Sequence, residues 1–266
     1  MKLFVVNVGV NTDHEKRRGL RSPTFPDGTF EFVPIPESSN LAGRARIPTY
    51  ADLATWNGRA TNLAAYLPPA VRRYAVHADP EFDTHTYGDV LSPRAANLAL
   101  AKAGDQLWFL ARLWQHDGAQ WLNDSAFHFI ARLEVEENVL IDPICDMAHV
   151  LALRDRISGN AHYLRLAAGD MSTFRIVIGS PVGSARFRRG LCITPDVAGL
   201  VYGAEYGSDG LYRRDGALVL NKNGRPRTFA HFGSITRSVQ AFLDSDISHH
   251  KSYLAALNAI ATQHLT

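Results

Sequence analysis

Hydrophobic and polar positions alternate along the chain with two different periods, and these periods predict strands and helices in an irregular order. In residues 127–135 apolar side chains occupy every second position, while His128, Arg132 and Glu134 fall on the opposite face. This alternation is typical of a strand with one face in the core. Further strands are predicted at residues 3–10, 106–113, 162–166 and 174–178, and Asp215-Gly216 predicts a hairpin between residues 211–214 and 217–220.

Other segments carry helix-start signals or helical spacing. Thr49 and Asp52 resemble a capping box, and Ser92-Pro93 is a favourable start for a helix. A third helix should start at Asp142-Pro143 and bury the face that carries Ile144, Met147, Ala148 and Leu151. We therefore expect helices at residues 50–67, 92–104, 142–159 and 235–266, and a polar surface loop at residues 11–21.

Strands and helices do not alternate regularly, which favours the α+β class over a parallel α/β fold. We expect a largely antiparallel central sheet or open barrel with flanking helices and a helical C-terminus. Residues 1–266 should form a single domain, with residues 235–266 as a helical segment packed on it. The order Gly104-Asp105, strand, loop, strand is similar to base-reading barrels of the PUA and EVE type.

Composition narrows the possible classes of protein. The 266 residues are 46% hydrophobic, which is enough for a buried core, and the net charge of +2 argues against a bulk nucleic-acid coat protein. Two isolated cysteines do not form a disulfide framework. Neither a signal peptide nor an apolar stretch of membrane-spanning length is recognisable, so we expect a cytoplasmic protein with no membrane partner.

Basic residues are clustered in short segments that are candidates for contact with nucleic acid. The two clusters of interest are Lys16, Arg17, Arg18 and Arg21, and Arg186, Arg188 and Arg189. Arginine forks bind phosphate well, and tryptophans such as Trp56 can stack on a base. The alternative is that these cations are scattered solubilising charges and that the tryptophans lie in the core.

Histidines and acidic residues concentrate in residues 77–85, and His77 and Asp79 in a strand would share one face. With His231 as a third ligand they would resemble the facial triad of a non-haem iron oxygenase, and Arg237 could hold an oxo-acid cosubstrate. The implied cofactor is a divalent metal such as Fe(II). The alternative is an ordinary polar loop around Asp79-Pro80. His128 and His162 are expected to be buried, hydrogen-bonded imidazoles, and His149 a solvated one.

Several short segments together resemble the bacterial family called nucleotide modification associated domain, third type. They are SPTFPDGTF at residues 22–30, PIP at 34–36, YADL at 50–53, HADP at 77–80, GDQLWFL at 104–110, the strand at 127–135 and GNAHYL at 159–164. The resemblance implies an association with DNA base-modification systems of bacteria and phages. It supplies no catalytic residues.

Three functional hypotheses remain open from the sequence. As a component of a base-modification system, the chain would bind nucleotides or modified DNA, either as a modifying enzyme or as a reader, alongside other base-modification proteins. An oxygenase predicts a metal pocket around His77 and Asp79, whereas a reader predicts an aromatic pocket rimmed by arginines. A non-catalytic interaction subunit predicts an exposed apolar patch instead.

Overall fold

A curled, mostly antiparallel sheet of eight strands organises the computed structural model, which describes residues 1–37, 47–142, 144, 147–171, 173–221, 223–229, 232 and 239–265. The strands are β1 (Lys2–Asn7), β2 (Pro23–Thr24), β3 (Ile35–Pro36), β4 (Val76–His77), β5 (Thr86–Asp89), β6 (Gln106–His116), β7 (Trp121–Ile141), β8 (Phe174–Gly179), β9 (Ala185–Cys192), β10 (Glu205–Tyr206), β11 (Tyr212–Arg214), β12 (Ala217–Leu218) and β13 (Val239–Asp244). The α-helices are α1 (Thr12–Arg18), α2 (Met147–Ile157), α3 (Ala161–Ala167), α4 (Pro195–Tyr202) and α5 (His250–Thr262).

The large sheet has the order β13-β1-β6-β7-β8-β5, with β2 added to β6 and β9 added to β7. Among the strand pairs of the described residues, only β1–β6 and β2–β6 are parallel. The long β7 pairs with β6, with β9 around residues 128–132, and with β8 from Val135 onwards. This confirms the predicted α+β class with a largely antiparallel, half-barrel sheet and a C-terminal helix. The likeness to PUA and EVE barrels stays a prediction.

The alternation predicted for β7 is present in the structure. Phe129, Ala131, Leu133 and Val135 are buried, whereas Arg132 and Glu134 are half-buried. His128 departs from the pattern because it is buried too. The reason is the close approach of β9, since a β-carbon at Gly190 would lie only 3.1 Å from His128 Cδ2.

The loop predicted at residues 11–21 contains a helix, α1. Asn11 caps it by accepting hydrogen bonds from the backbone N–H groups of Asp13 and His14, and Gly19 ends it in the left-handed conformation with φ of 65°. None of its residues is buried. Because α1 is held by its caps and buries no apolar face, hydrophobic periodicity does not indicate it.

The helices predicted at residues 50–67 and 92–104 are wrong. Thr49 does bond to Asp52, but the bond closes a turn. Short 3-10 helices occur instead at Leu63–Tyr66, Pro69–Val71 and Ala96–Leu100. In the first segment the backbone N–H groups of Trp56 and Asn57 are bound by the Glu31 carboxylate, so tertiary hydrogen bonds replace helical ones.

The helix predicted at residues 142–159 forms as α2, but it buries a different face. Ile144, Met147 and Leu151 are exposed. Val150, Leu153 and Ile157 are buried and cluster with the isoleucines of β8. The sequence allowed two apolar stripes, and the position of β8 selects the second.

Two further segments differ in type from the prediction. Residues 162–166 form part of α3 instead of a strand, because the Asn160 side chain caps the backbone N–H of His162. Residues 239–244 form β13, which pairs with β1, before α5 begins. The apolar stripe of α5 is confirmed by the burial of Leu254 and Leu257, and the hairpin at Asp215-Gly216 by β11 and β12.

The main core lies between the large sheet and the helices α4 and α5. Its largest fully buried side chains include Trp108, Phe109, Phe129 and Phe187. Smaller clusters pack α2 on β8 and the 3-10 segments on Trp114. In the described part of the chain, each helix is too short or too polar to cross a membrane.

Candidate functional site

Two arrangements of polar side chains stand out, and the first is a cluster of His77, Asp79 and His162. One ligand-type atom from each residue lies within 4.8 Å of the other two. His77 ends β4, Asp79 follows two residues later, and His162 lies in the first turn of α3. The predicted ligands His77 and Asp79 thus lie close together, and the third residue of the cluster is His162. The expected ligand His231, with Arg237, lies outside the described residues.

Asp79 is the buried centre of this histidine–aspartate cluster. Its carboxylate accepts hydrogen bonds from the Gly88 N–H at 3.0 and 3.2 Å and from Asn160 Nδ2 at 2.8 Å. Removal from water raises the pKa of Asp79 to about 7, against the opposing effect of His77 and the hydrogen bonds. The amide donors hold the carboxylate in one orientation.

His77 is oriented by a second carboxylate. Its Nδ1 lies 2.7 Å from Glu37 Oε1, and both side chains are largely shielded from solvent. Burial alone would raise the pKa of Glu37, but the hydrogen bond and charge of His77 hold that pKa below its usual range. In the neutral tautomer that donates Nδ1–H to Glu37, the lone pair of His77 is on Nε2.

His162 is the least satisfied member of the cluster. Only 4% of the residue is exposed, and its Nδ1 has no hydrogen-bond partner in the described residues. Its Nε2 lies 3.5 Å from Asp79 Oδ2, and its ring stacks on Phe174 and meets the His77 ring edge to face. Burial lowers the pKa of His162 to about 4, so the ring is neutral at pH 7.

The second arrangement is a cleft of about 400 Å³, called here the arginine cleft. Arg186 lines it, with the guanidinium carbon 4.5 Å from the ring centre of Trp56, 4.8 Å from Phe82 and 5.8 Å from Phe30. Trp56 remains 48% exposed. The other lining residues are Asp27, Thr29, Asn57, Arg59, Arg188 and Leu265.

A buried carboxylate shapes one wall of the cleft. Glu31 is fully buried and accepts hydrogen bonds from the backbone N–H groups of Trp56 at 2.8 Å and Asn57 at 2.9 Å. Burial raises the pKa of Glu31 despite these donors and the nearby Arg186. Burial also lowers the pKa of Arg186 to about 10, which leaves it charged at pH 7. Arg186 Nε is buried without a hydrogen-bond partner in the described residues.

The remaining cations of the cleft stand at its rim. Arg59 pairs with Asp27 and lies 4.6 Å over the Phe25 ring. Arg188 is exposed, and its backbone N–H donates to the His264 carbonyl at 2.8 Å, just beyond α5. The Arg189 N–H also donates to this carbonyl, at 3.3 Å, and Leu265 lines the cleft, so the segment after α5 borders it.

The predicted basic residues therefore have different environments. Arg186 and Arg188 share the arginine cleft, while Arg189 packs beside it against Gly28. Lys16, Arg17 and Arg18 are exposed at the end of α1. Arg21 forms an ion pair with Glu15 at 2.7 Å and lies 5.7 Å from the Trp121 ring.

One loop connects the two arrangements. It carries His77 and Asp79, and it places the Phe82 ring against the Arg186 guanidinium. The charge of Asp83 in the same loop opposes the lowering of the Arg186 pKa by burial. Ligand-type side chains and an aromatic ring that packs on Arg186 of the cleft thus belong to one stretch of seven residues, 77–83.

A second cleft, of about 450 Å³, lies on β6 and β7 around His116, His128 and Cys192. The Nδ1–H of His128 donates to the Ala126 carbonyl at 3.1 Å. Burial lowers the pKa of His128 to about 4, and the charge of His264 acts in the same direction.

Sequence reasoning missed several residues of both arrangements. His162 was placed on a strand, and Asn160, Gly88, Glu31 and Arg59 were not singled out. The segment 159–164 did contain a usable signal, because asparagine is a favoured helix cap and Asn160 precedes Ala-His. A helix start there would have turned attention to His162.

The family model described as nucleotide modification associated domain 3 matches residues 2–241. Neither a curated protein nor a solved structure gives a significant match to the chain.

Proposed function

Because the chain belongs to the nucleotide modification associated domain 3 family, we propose that it binds a nucleotide or a modified base of DNA in the arginine cleft. It would do so as a component of a nucleotide-modification system. Family membership supports a role in a nucleotide-modification system, and the residues of the cleft support the binding of a nucleotide or a base.

The observation that carries the proposal is the position of Arg186. A guanidinium packed among three aromatic rings, with a buried and unpartnered Nε, faces a cleft of about 400 Å³. The Arg186 side chain lines the cleft and is charged at pH 7, so the cleft favours a ligand that carries a negative charge or a hydrogen-bond acceptor. A cleft of this volume is within the range that small-molecule ligands occupy.

The other lining residues fit the parts of a nucleotide. The exposed part of Trp56 offers a surface on which a base can stack, with Arg186 supporting the indole ring. Arg188 is exposed and suits a phosphate. The Asn57 amide lines the same cleft and can contact the edge of a base.

Replacement of Trp56 by Ala tests the proposal. Stacking of one base on an aromatic ring contributes about 1–3 kcal/mol, so Trp56→Ala should weaken binding about 5- to 150-fold. Binding is measured by fluorescence anisotropy on short duplexes with and without a modified base, and by calorimetry with mononucleotides. Arg188→Ala should lower the salt dependence by about one phosphate contact.

Arg154→Ala is the matched control, because Arg154 is an exposed cation on α2 rather than in the cleft. Equal affinity for Trp56→Ala, Arg154→Ala and the wild type would refute the cleft as the binding site. A wild-type protein that binds neither duplex nor mononucleotide would favour an interaction subunit instead.

A further inference from the structure

We propose that His77, Asp79 and His162 bind a divalent transition-metal ion. This goes beyond the nucleotide-binding proposal and does not depend on it, because it rests on different side chains.

The donor atoms are close enough to share an ion. Imidazole nitrogens and carboxylate oxygens bind such ions at about 2.0–2.2 Å, so atoms on a common ion lie no more than about 4.4 Å apart. The donors of the cluster lie within 4.8 Å of one another, and small rotations of three side chains close the difference. They come from β4, the loop after it and α3, which the fold holds together.

The charge of the buried site also favours an ion. Asp79 is 7% exposed, and its described hydrogen-bond donors, Gly88 and Asn160, are neutral amides. A buried carboxylate without a cation is costly, and a divalent ion bound by two imidazoles supplies the missing positive charge.

The surrounding groups have the form of an outer shell around metal ligands. Ligating histidines usually donate their second ring nitrogen to a carboxylate or carbonyl, and His77 Nδ1 lies 2.7 Å from Glu37 Oε1. Asn160 donates to Asp79 Oδ1 and also caps the turn that carries His162. One residue therefore positions two of the three ligands.

His162 provides an independent observation. An imidazole with a structural role normally has its nitrogens hydrogen-bonded when buried, but the Nδ1 of His162 is buried and has no partner among the described residues. Its Nε2 is 3.5 Å from Asp79 Oδ2, longer than a good hydrogen bond. An ion bound to Nε2 and to Asp79 Oδ2 would take the place of this long contact, and Nδ1 would then carry the proton of the ring.

Two imidazoles and one carboxylate select a particular class of metal. This donor set suits Zn(II), Fe(II) and Co(II), whereas Mg(II) prefers oxygen ligands. Three protein ligands leave further coordination positions open to water or another ligand.

The experiment uses the full chain, stripped with a chelator and titrated with Co(II) and Zn(II) by absorption spectroscopy and calorimetry, and anaerobically with Fe(II). We expect one equivalent of each ion to bind the wild type, with a Co(II) visible spectrum and a raised thermal midpoint. His162→Gln and His77→Gln should lose at least 10-fold in affinity. His149→Gln, which replaces an exposed histidine on α2, should bind like the wild type.

Glu37→Gln keeps all three ligands and serves as the test if a ligand variant does not fold. Loss of an orienting partner lowers metal affinity about 10- to 100-fold, and we expect a loss in that range. A wild type that takes up no equivalent of any of the three ions overturns the proposal. Equal uptake by the wild type, His162→Gln and Glu37→Gln overturns it as well. Neither result bears on Trp56, so the two proposals fail separately.

Discussion

Gly88 in β5 is the position at which a single added methyl group should be most informative. A β-carbon at Gly88 would lie 2.4 Å from His162 Cδ2, 2.9 Å from His162 Cγ and 3.0 Å from Asn160 Oδ1. The His162 ring is backed by Phe174, at 5.7 Å between ring centres, so it has little room to withdraw. Gly88→Ala must therefore displace either α3 or the His162 ring.

The expected cost follows from the overfilled packing. Overpacking of a filled site costs about 1–3 kcal/mol. In a domain of roughly this size each kcal/mol lowers the thermal midpoint by about 2–4 °C, so Gly88→Ala should melt about 2–12 °C below the wild type. Thermal unfolding followed by circular dichroism measures the shift, and Co(II) titration of the same variant should show weaker binding.

Gly159→Ala is the matched control for this change. It lies beside the same cluster, but its added carbon would meet Glu81 Cδ at 3.5 Å, an ordinary contact. We expect a change in stability within about 0.5 kcal/mol. If both variants melt at the wild-type temperature, the close contact between β5 and His162 is not as tight as described, and the reasoning is refuted.

Two further predictions concern pH and charge. His128 is neutral in the fold with a pKa of about 4, but takes up a proton near 6.5 when unfolded. The contribution of His128 to the free energy of unfolding therefore falls by roughly 3 kcal/mol as pH drops from about 6.5 to about 4. In urea unfolding, His128→Gln should reduce the slope of stability against pH in this range. An unchanged slope contradicts this prediction. Replacing Arg17 and Arg18 together by Ala should weaken binding to all duplexes and lower the salt dependence by about two phosphate contacts, while any preference for a modified base is kept. Unchanged affinity and slope would mean that the end of α1 is ordinary solvated surface.

The sequence predicted the sheet better than its surroundings, for a physical reason. Burial of a strand face leaves a period-two pattern in the residues themselves, as in residues 129–135, and β6 and β7 are joined by a short connection. No such local pattern determines the conformation of residues 50–67. Its conformation depends on hydrogen bonds to Glu31, about 25 residues earlier in the chain.

The candidate site was predictable only in part, because it depends on distant residues. His77 and Asp79 are two residues apart in the sequence, so a local pattern predicts them as a pair of ligands. His162 joins them only because Asn160 starts a helix next to β4 and β5. Arg186 was recognised as a cation, but its packing on Trp56 and Phe82 unites three separate parts of the chain.

The hydrogen bonds between His264, which follows α5, and β9 have a consequence for assembly during synthesis. One edge of β9 pairs with β7, while the Gly190 N–H donates to the Gly28 carbonyl and the N–H groups of Arg188 and Arg189 donate to the carbonyl of His264, which is 75 residues from Arg189. Until residue 264 leaves the ribosome, the N–H groups of Arg188 and Arg189 lack this acceptor. Unpaired strand edges recruit other strands, so a nascent chain is exposed to aggregation at this strand. The two arginines there repel a second copy of the same edge, and this charge protects the strand until the last helix docks.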